Sequence, residues 1–360
     1  MQTQSKFRLL VVRLGAMGDL LHALPAVTAL RQTHPLWTID WVVEPAWAPL
    51  LSASRKADRG ASQPLVDEVH LAGVKGWAKR PLSTQTLDEI RALRKAMQAR
   101  GYDAVLEFQG AVRSAWIARM AKCRRVIGEA EPREPLAKWL FSERVATRGV
   151  HVIEQDVEVA EAVAGDALKP VQPLLPVDAA AEARCDALLA GNEKPVVLLN
   201  PGAGWGAKRW PVERYGAVAS GLRCRGFLVV VNAGPGEEDL AETIRELSQN
   251  SAVVARCTLG QLIALTRRVV LAIAGDTGPL HLACALGKPV VGIFGPTDPA
   301  RNGPFAGPDA SLGWAPFRVL RHAESKRDHT RREEPEAGLL TITPEDVLGA
   351  VDELVAETVR

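Results

Sequence analysis

Short apolar runs alternate with longer stretches of helical periodicity along most of the chain. In the first half these runs mark strand candidates at residues 8–13, 38–43, 67–71, 103–107 and 124–128. After the third candidate, four apolar residues recur every three or four positions, as on one face of a helix: Leu87, Ile90, Leu93 and Met97. Gly101 is placed to end that helix. This alternation predicts βα units around a parallel sheet.

The stretch at residues 165–195 interrupts the alternation, since it carries three prolines and then a short alanine-rich helix. Beyond it the apolar runs resume as "PVVLLNPGAG", "FLVVVNAGPGEE", "VVLAIAGDTGP" and "PVVGIFGPTDP". Their continuous apolar character is typical of strands covered on both faces. A chain of 360 residues is also too long for one typical core. The pattern therefore predicts two α/β domains.

The domain boundaries follow from these breaks. We predict a Rossmann-like domain over residues 1–170, a linker region over 171–194, a second Rossmann-like domain over 195–340 and a final helix over 341–360. Thr343 is a plausible N-cap for that helix, and Pro344 suits its first position.

Composition and charge exclude several classes of protein. The net charge of +2 is too small for a protein that binds nucleic acid through a bulk basic excess. The N-terminus does not resemble a signal peptide, and no stretch approaches the roughly 20 apolar residues of a membrane span. The five cysteines are scattered without a CxxC pair, which favours buried thiols in a reducing cytoplasm. The charged stretch 321–338 is expected to be an exposed, mobile loop.

Three turns after strands in the second half are typical of nucleotide binding. In "GDTGPLHLACALGKP", Thr277 can cap a helix whose free N–H groups suit a phosphate, and Gly278 lets the backbone approach a ligand closely. Asp276 is better suited to a hydroxyl or backbone amide than to a phosphate. A well-capped helix without a ligand remains an equal alternative.

A lysine completes the second of these turns. "NPGAGWGAKRWP" combines a glycine-rich turn, containing Gly202, with Lys208, whose charge suits a diphosphate. In the third turn, "NAGPGEEDLAE", Glu237 or Glu238 can accept a ribose hydroxyl or merely favour the helix start. The turns predict a nucleotide diphosphate bound without a metal, since no DxD motif and no metal-ligand cluster is evident. A structural Lys-Arg pair is the alternative for Lys208.

The first turn of the chain carries an acid instead of a cation. In "RLGAMGDLLHALPAV" (13–27), Gly15, Gly18 and Asp19 fall where the first strand passes into a helix. Asp19 is placed either to cap that helix or to act as a base, and the two roles are compatible.

Several stretches, in order, resemble the ADP-heptose:lipopolysaccharide heptosyltransferases of glycosyltransferase family 9, a family of inverting GT-B enzymes. They are "GAMGDLLHALPAV", "YDAVLEFQGAVRSA", "REPLA", "NPGAGWGAKRWP", "DTGPLHLACALGKPVVGIFGPTDP" and "ITPEDV". The resemblance is closest to the heptosyltransferase I type, which adds the first heptose to a Kdo sugar of the lipid A inner core.

This resemblance implies a GT-B fold, with two Rossmann-like domains whose parallel sheets face a cleft. It implies an acceptor site in the N-terminal domain and an ADP-heptose site in the C-terminal domain, with no further cofactor. Asp19 is then the catalytic base, and the donor residues are Gly202, Lys208, Glu237, Asp276, Thr277, Gly278 and His281. His281 is also explained as a helix histidine packed in the fold.

The acceptor candidates are less specific. They are Gly15, Gly18, Gln109, Arg133, Lys79 and Arg80. A solvated basic loop is the alternative for the three cations. A lipid-linked acceptor would place the protein in the cytoplasm, at the inner face of the inner membrane.

The stretch 114–125 combines Trp116, Ile117 and Met120 with a basic cluster, so it is a candidate for peripheral membrane contact. An amphipathic helix packed on the core is the alternative.

Three other functions stay open at this point. They are a sugar-nucleotide epimerase of the same architecture, a family member with another donor or acceptor, and a non-catalytic nucleotide-binding module.

Overall fold

The computed structural model describes residues 7–54, 59–307, 314–325, 327–328, 330 and 333–358. The chain divides into two compact units, Met1–Val177 and Asp178–Arg360. The division falls inside the predicted linker 171–194. The alanine-rich helix of that stretch belongs to the second unit.

The first unit is built on a six-stranded parallel sheet. Its strands are β1 (Arg8–Val12), β2 (Thr38–Val43), β3 (Glu68–Leu71), β4 (Ala104–Glu107), β5 (Val126–Glu129) and β6 (Glu143–Val145). They lie in the order β3-β2-β1-β4-β5-β6, and every neighbouring pair is parallel. The five predicted strands are confirmed to within two residues at each end. β6 was not predicted because its three residues, "ERV", carry no apolar run.

In the described part of this unit, five helices cover the sheet. They are α1 (Met17–Thr33), α2 (Val74–Lys79), α3 (Thr84–Arg100), α4 (Val112–Met120) and α5 (Val152–Ala164). α3 begins where Ser83 Oγ accepts the Thr86 N–H at 3.1 Å and ends at Gly101, whose φ of 65° is left-handed. The predicted helix and its glycine stop are therefore confirmed. Single 3₁₀ helices cover residues Pro45–Leu50 and Pro135–Leu140.

The expectation for the stretch 114–125 was partly wrong. Ile117 and Met120 on α4 are buried, at 0% and 8% exposure, so they pack in the core and do not face a membrane. Trp116 is 49% exposed. Since the apolar stripe of α4 covers the sheet, the amphipathic-helix alternative holds for its buried residues.

The second unit repeats the architecture. Its strands are β7 (Val196–Asn200), β8 (Leu228–Asn232), β9 (Ala252–Ala255), β10 (Leu271–Gly275), β11 (Val290–Phe294) and β12 (Phe317–Arg321). Their order is β12-β11-β10-β7-β8-β9, again all parallel. The four central strands were predicted, whereas the edge strands β9 and β12 were not. β12, "FRVLR", carries arginines among its apolar residues, and the apolar run of β9, "AVVA", is only four residues long and is not followed by a Gly/Pro turn.

The helices of this unit include the predicted C-terminal one. They are α6 (Ala179–Leu188), α7 (Val212–Cys224), α8 (Glu238–Leu247), α9 (Leu259–Arg268), α10 (Gly278–Ala285), α11 (Pro299–Asn302) and α12 (Pro344–Thr358). Thr343 Oγ1 accepts the Asp346 N–H at 3.2 Å, which confirms the predicted N-cap of α12. α12 packs on α7, and its buried Val347, Val351 and Leu354 join the core of this unit.

The charged stretch 321–338 is not simply an exposed loop. Ser325 is 7% exposed and its hydroxyl donates to Glu336 Oε2 at 3.0 Å. The Glu336 N–H donates to the carbonyl of Ala207 at 3.1 Å, on the turn after β7. The expectation of an exposed loop was wrong for Ser325 and Glu336, because Glu336 forms hydrogen bonds with Ser325 and Ala207. Residues 326, 329, 331 and 332 of this stretch lie outside the described residues.

Within the described ranges, no helix combines the length and the apolar character needed to cross a membrane.

A buried carboxylate joins the strands of the first unit to the end of α3. Asp40 on β2 is 0% exposed, and its carboxylate accepts hydrogen bonds from Arg100 Nε, at 2.7 Å, and Arg100 Nη2, at 2.9 Å. The Tyr102 hydroxyl donates to the same carboxylate at 2.8 Å, and His70 Nε2 lies 2.7 Å from that hydroxyl. Burial raises the pKa of Tyr102 and lowers the pKa of His70, so both neutral forms are favoured.

Removing this carboxylate should destabilise the protein. We expect Asp40→Ala to lower the free energy of unfolding by ~2 kcal/mol or more, because it leaves the buried Tyr102 hydroxyl and one face of Arg100 without their acceptor. Urea denaturation measures the change. Asp88→Ala, which removes the exposed Asp88–Arg91 pair on α3, is the control and should cost less than about 1 kcal/mol. Equal losses in the two variants would contradict the assignment.

Candidate active site

The carboxylate of Asp19 is held at the start of α1, after the carboxyl end of the central strand β1. The Ala16 N–H donates to Asp19 Oδ2 at 3.0 Å, and Arg13 Nη2 lies 3.3 Å from Oδ1. The side chain is still 36% exposed. The capping role considered for Asp19 is therefore present, and the carboxylate keeps an accessible side.

Arg13 orients this carboxylate and was not among the site residues predicted from sequence. It is 7% exposed, its Nη1 donates to the Phe108 carbonyl, and its own carbonyl accepts the Trp41 indole N–H at 3.1 Å. These contacts fix the guanidinium below the turn. The signal in the sequence was an arginine at the end of an apolar strand. A charged side chain that is buried there needs a partner.

The two glycines and Gln109 lie beside Asp19. A Cβ on Gly15 would come within 2.7 Å of the Trp47 indole nitrogen, so this position requires glycine for the close approach. Gly18 is the second residue of α1 and is half-buried. Gln109 Oε1 accepts the Leu14 N–H at 2.8 Å, which ties the turn after β4 to the turn after β1. The structure thus brings these predicted residues together.

The predicted basic residues are less closely placed. Arg133 follows β5, 63% exposed and 3.6 Å from Glu134, and its backbone nitrogen packs on Gly110 beside Gln109. Lys79 and Arg80 end α2, which follows the edge strand β3. Arg133 is connected to the turn of Asp19 through Gly110 and the neighbouring Gln109, whose side chain accepts the Leu14 N–H.

Two buried carboxyl groups lie near Arg13. Glu107, at the end of β4, accepts the N–H groups of Gly110 at 2.9 Å and Gln109 at 3.2 Å, which shapes that turn. Burial raises the pKa of Glu107 to about 7. Burial also raises the pKa of Asp156, on α5, to about 8, while Arg13 opposes the rise and the charges of Asp19, Glu129 and Glu107 add to it. Neither acid was predicted from sequence.

In the second unit, Lys208 is directed at Asp276. Its Nζ donates to the Asp276 carboxylate and, at 3.2 Å, to the Asp276 carbonyl, and it lies 4.3 Å from the centre of the Trp205 ring. Both side chains are nearly buried, at 11% and 9% exposure. The predicted residues of the turns after β7 and β10 therefore form one group.

His281 belongs to the same group. Its Nε2 lies 3.1 Å from Asp276 Oδ1, so His281 packs in the fold and also contacts the predicted site. Burial of Asp276 opposes its ionisation, but the hydrogen bond and the positive charge of His281 and Lys208 outweigh it and hold the pKa of Asp276 below its usual range. Asp276 is therefore the anion that orients Lys208 and His281.

The start of α10 differs from the prediction in one detail. Thr277 is the residue before the helix, but its hydroxyl donates to the Gly275 carbonyl at 3.2 Å and makes no cap hydrogen bond. Capping by the Thr277 side chain was therefore wrong, because the hydroxyl turns back towards the strand. Gly278 is the first residue of α10, Pro279 follows it, and Gly287 has the left-handed φ of 66° expected just after the helix.

Gly202 and Glu237 form a second group in this unit. Glu237 Oε2 accepts the Gly234 N–H at 3.0 Å, and a Cβ on Gly202 would overlap the Glu237 carboxylate, at 1.9 Å from Oε1. Gly202 is therefore needed for that carboxylate to fit between the turns after β7 and β8. Below them, Asn232 Nδ2 donates to Asn200 Oδ1 at 3.0 Å.

Among the residues that the structure describes, no group of three or more His, Cys, Asp and Glu side chains is arranged to hold a metal ion.

The comparison with protein families decides the classification. Residues 90–316 match the model of glycosyltransferase family 9 (heptosyltransferase). The chain belongs to this family. It is therefore a family 9 glycosyltransferase, and the resemblance noted in its motifs is confirmed.

Curated relatives agree with this assignment. The family 9 chain is 28% identical over 319 residues to lipopolysaccharide heptosyltransferase 1 of Pseudomonas aeruginosa, covering 85% of this chain and 83% of that protein. It is 29% identical over 301 residues to lipopolysaccharide heptosyltransferase 1 of Escherichia coli K12, covering 82% and 90%.

Solved structures share the fold. The E. coli heptosyltransferase WaaC with ADP matches with a TM-score of 0.77 and 25% identity, covering 97% of this chain and 100% of that one. The E. coli ADP-heptose lps heptosyltransferase II matches with a TM-score of 0.75 and 21% identity over 98% and 100%. The family 9 chain therefore has the predicted GT-B class, with two parallel sheets and their helices.

The buried Asp156 should make folding stability depend on pH. Its folded pKa of about 8 lies above the unfolded value of about 3.9, so its contribution is complete below about pH 4 and is lost as pH rises towards 8. Asp156→Asn cannot ionise. We expect it to exceed the wild type in free energy of unfolding by on the order of 1 kcal/mol or more at pH 9, and by much less at pH 5.

The matched control is Asp166→Asn, at an exposed aspartate just beyond α5. Denaturation from pH 4 to 9 should give this variant a profile parallel to that of the wild type. A parallel profile for Asp156→Asn as well would show that the carboxyl group is not held in its neutral form.

Proposed function

We propose that this family 9 enzyme transfers heptose from ADP-heptose to a Kdo sugar of the lipopolysaccharide inner core, with inversion at the anomeric carbon. The observation that carries the mechanism is the partly exposed carboxylate of Asp19, held by the Ala16 N–H and Arg13 after β1. Both curated relatives are named lipopolysaccharide heptosyltransferase 1, which supports a heptose donor and a lipopolysaccharide acceptor. A WaaC structure that holds ADP-2-deoxy-2-fluoro heptose, at 25% identity and a TM-score of 0.75, supports the donor class.

In the proposed reaction, Asp19 acts as the general base. The acceptor hydroxyl oxygen attacks the anomeric carbon, the bond from that carbon to the phosphate oxygen breaks, and ADP leaves. The hydroxyl proton passes to the Asp19 carboxylate. Arg13 and the Ala16 N–H each occupy part of this carboxylate, so its orientation is fixed before the acceptor arrives.

Lys208 and the start of α10 are proposed to bind the diphosphate. An ammonium group has three N–H donors, and the carboxylate and carbonyl of Asp276 occupy two of them, which leaves one for a phosphate oxygen. Gly278 begins α10, where free backbone N–H groups and the helix dipole also favour an anion. Glu237, seated against Gly202, is positioned to accept a ribose hydroxyl. These groups provide donor binding without a further cofactor.

The acceptor is proposed to bind the turns of the first unit. Gly15 and Gly18 leave space beside Asp19, Gln109 is tied to the same turn, and Arg133 supplies a charge for an acidic sugar. Lys79 and Arg80 extend this basic character along the sheet edge. Because a lipid A acceptor is anchored in a membrane, we propose a cytoplasmic enzyme that works peripherally at the inner face of the inner membrane.

Asp19→Asn should abolish transfer while it leaves the affinity for ADP close to that of the wild type. The amide cannot take up the hydroxyl proton, whereas the donor residues lie in the other unit. ADP release in the presence of ADP-heptose and a Kdo acceptor measures turnover, and calorimetry measures ADP binding. Loss of a general base typically lowers the rate by about 10²–10⁴-fold.

The control is Glu154→Gln, since Glu154 accepts the His151 N–H at the start of α5 just as Asp19 accepts the Ala16 N–H. It makes the same change of carboxylate to amide at a comparable helix start, where the amide oxygen can still accept the N–H, and should leave turnover within a few-fold of the wild type. Near-normal turnover of Asp19→Asn would reject Asp19 as the base. Conversion of ADP-heptose to a sugar isomer without acceptor would reject the transferase proposal in favour of an epimerase.

Lys208→Ala should weaken ADP binding by roughly tenfold or more, since charged hydrogen bonds contribute about 1.5–3 kcal/mol. Arg209→Ala is the matched control, because Arg209 is the exposed neighbouring cation and should change the affinity little. Titration calorimetry with ADP measures both. Equal affinities for the wild type and Lys208→Ala would contradict the diphosphate assignment.

A further inference from the structure

Four large apolar side chains stand exposed on one part of the first unit. Leu136 is 70% exposed, Trp139 69%, Trp116 49% and Val112 37%. Two come from α4 and two from the 3₁₀ helix Pro135–Leu140. We call these four side chains the docking face. Exposed apolar residues so close together are expected at an interaction surface.

The local structure explains why these side chains point outwards together. α4 packs against the 3₁₀ helix, and Glu134 Oε2 accepts the Val112 N–H at 2.8 Å, which joins the starts of the two segments. Val112 and Trp116 are four residues apart on an α-helix, so they share one of its faces. Leu136 and Trp139 are three apart on a 3₁₀ helix, where such side chains eclipse.

The core holds the opposite side of both segments. Ile117 and Ala118 of α4, together with Ala137 and Phe141 of the other segment, are buried in one apolar cluster. The outward direction of the docking face is therefore set by packing. The exposed residues themselves contribute little to that core.

Positive charge surrounds the docking face. Lys138 Nζ lies 5.7 Å from the centre of the Trp139 ring, and the Arg144 guanidinium carbon lies 5.3 Å from it. Arg113 and Arg119 are exposed on α4. Neither α4 nor the 3₁₀ helix contains an acidic residue. Of the carboxylates that adjoin the two segments, Glu134 pairs with Arg133 at 3.6 Å and Glu143 with Arg125 at 2.8 Å, while Glu131 is exposed.

Charge complementarity favours one occupant. Tryptophans flanked by lysine and arginine suit the boundary of an anionic bilayer, where rings enter the headgroup region and cations meet lipid phosphates. A second copy of this chain, docked through the same face, would bring like charges together. Four apolar side chains also cover far less area than a stable protein interface requires.

We infer that the docking face places the first unit on an anionic lipid bilayer through Trp116, Leu136 and Trp139. This rests on the proposed function, in which the acceptor is lipid-linked. The 3₁₀ helix that carries Leu136 and Trp139 begins two residues after Arg133. An enzyme bound to the bilayer through this helix therefore holds Arg133, an acceptor-binding candidate, close to the lipid surface. The surface is distinct from the buried apolar stripe of α4.

The test is co-sedimentation with vesicles of phosphatidylcholine, with or without phosphatidylglycerol. We expect the wild type to bind more strongly when phosphatidylglycerol is present. The double variant Leu136→Ser/Trp139→Ser should bind roughly tenfold or more weakly, because two apolar side chains no longer enter the bilayer. Lys138→Gln should lower binding to anionic vesicles by roughly fivefold, and binding to neutral vesicles much less.

Leu36→Ser is the matched control, since Leu36 is 66% exposed in the turn before β2, which lies on the other side of β1 from β5 and β6. It should bind vesicles like the wild type. Thermal melts of all variants verify folding. The double variant should keep wild-type transfer to a deacylated, water-soluble Kdo acceptor and lose transfer to the same acceptor anchored in vesicles.

Equal vesicle binding by the double variant and the wild type would overturn the inference. So would a wild-type dimer that the double variant dissociates, because the occupant would then be a second copy. The proposed function fails separately: in that case the wild type transfers no heptose to the water-soluble acceptor, whatever the vesicle assay shows.

Discussion

The structure depends on the burial of its parallel strands. The central strands β1 and β7 lie in the middle of their sheets, and every residue of β7 is buried. Such strands have no room for polar side chains except where a partner is supplied, as for Asp40. Polar chemistry is therefore displaced to the turns that follow the strands. Apart from Lys79 and Arg80 at the end of α2, the candidate site residues follow carboxyl ends of strands in their own unit.

Each unit uses a nearly buried cation to organise a carboxylate at such a turn. Arg13 follows β1 and holds Asp19 at the start of α1, whereas Lys208 follows β7 and holds Asp276 before α10. The exposure of the acids separates their roles. Asp19 keeps more than a third of its surface accessible and suits proton transfer, while Asp276 is nearly buried and suits fixing the positions of Lys208 and His281.

The proposed acceptor side combines the turn of Asp19 with a surface that faces outwards. Arg133 packs beside Gln109 through Gly110 and leads into the segment that exposes Leu136 and Trp139. An acceptor with a charged sugar and an apolar anchor presents both features to the enzyme. The proposed site and the docking face are thus two parts of one segment of the fold.

The sequence by itself determined the repeated βα architecture, the central strands and most of the candidate site residues. Continuous apolar runs and the turns that follow them are local features of the sequence. They can therefore be recognised without knowledge of the tertiary contacts. The edge strands β6 and β12 carry charged residues among their apolar ones, the apolar run of β9 is only four residues long, and all three were missed. Tertiary structure alone decided that Arg13 orients Asp19, that Gly202 makes room for Glu237, and that Ile117 is buried while Trp139 is exposed. Each of these depends on contacts between segments distant along the chain or on how a segment packs, and no local pattern records them.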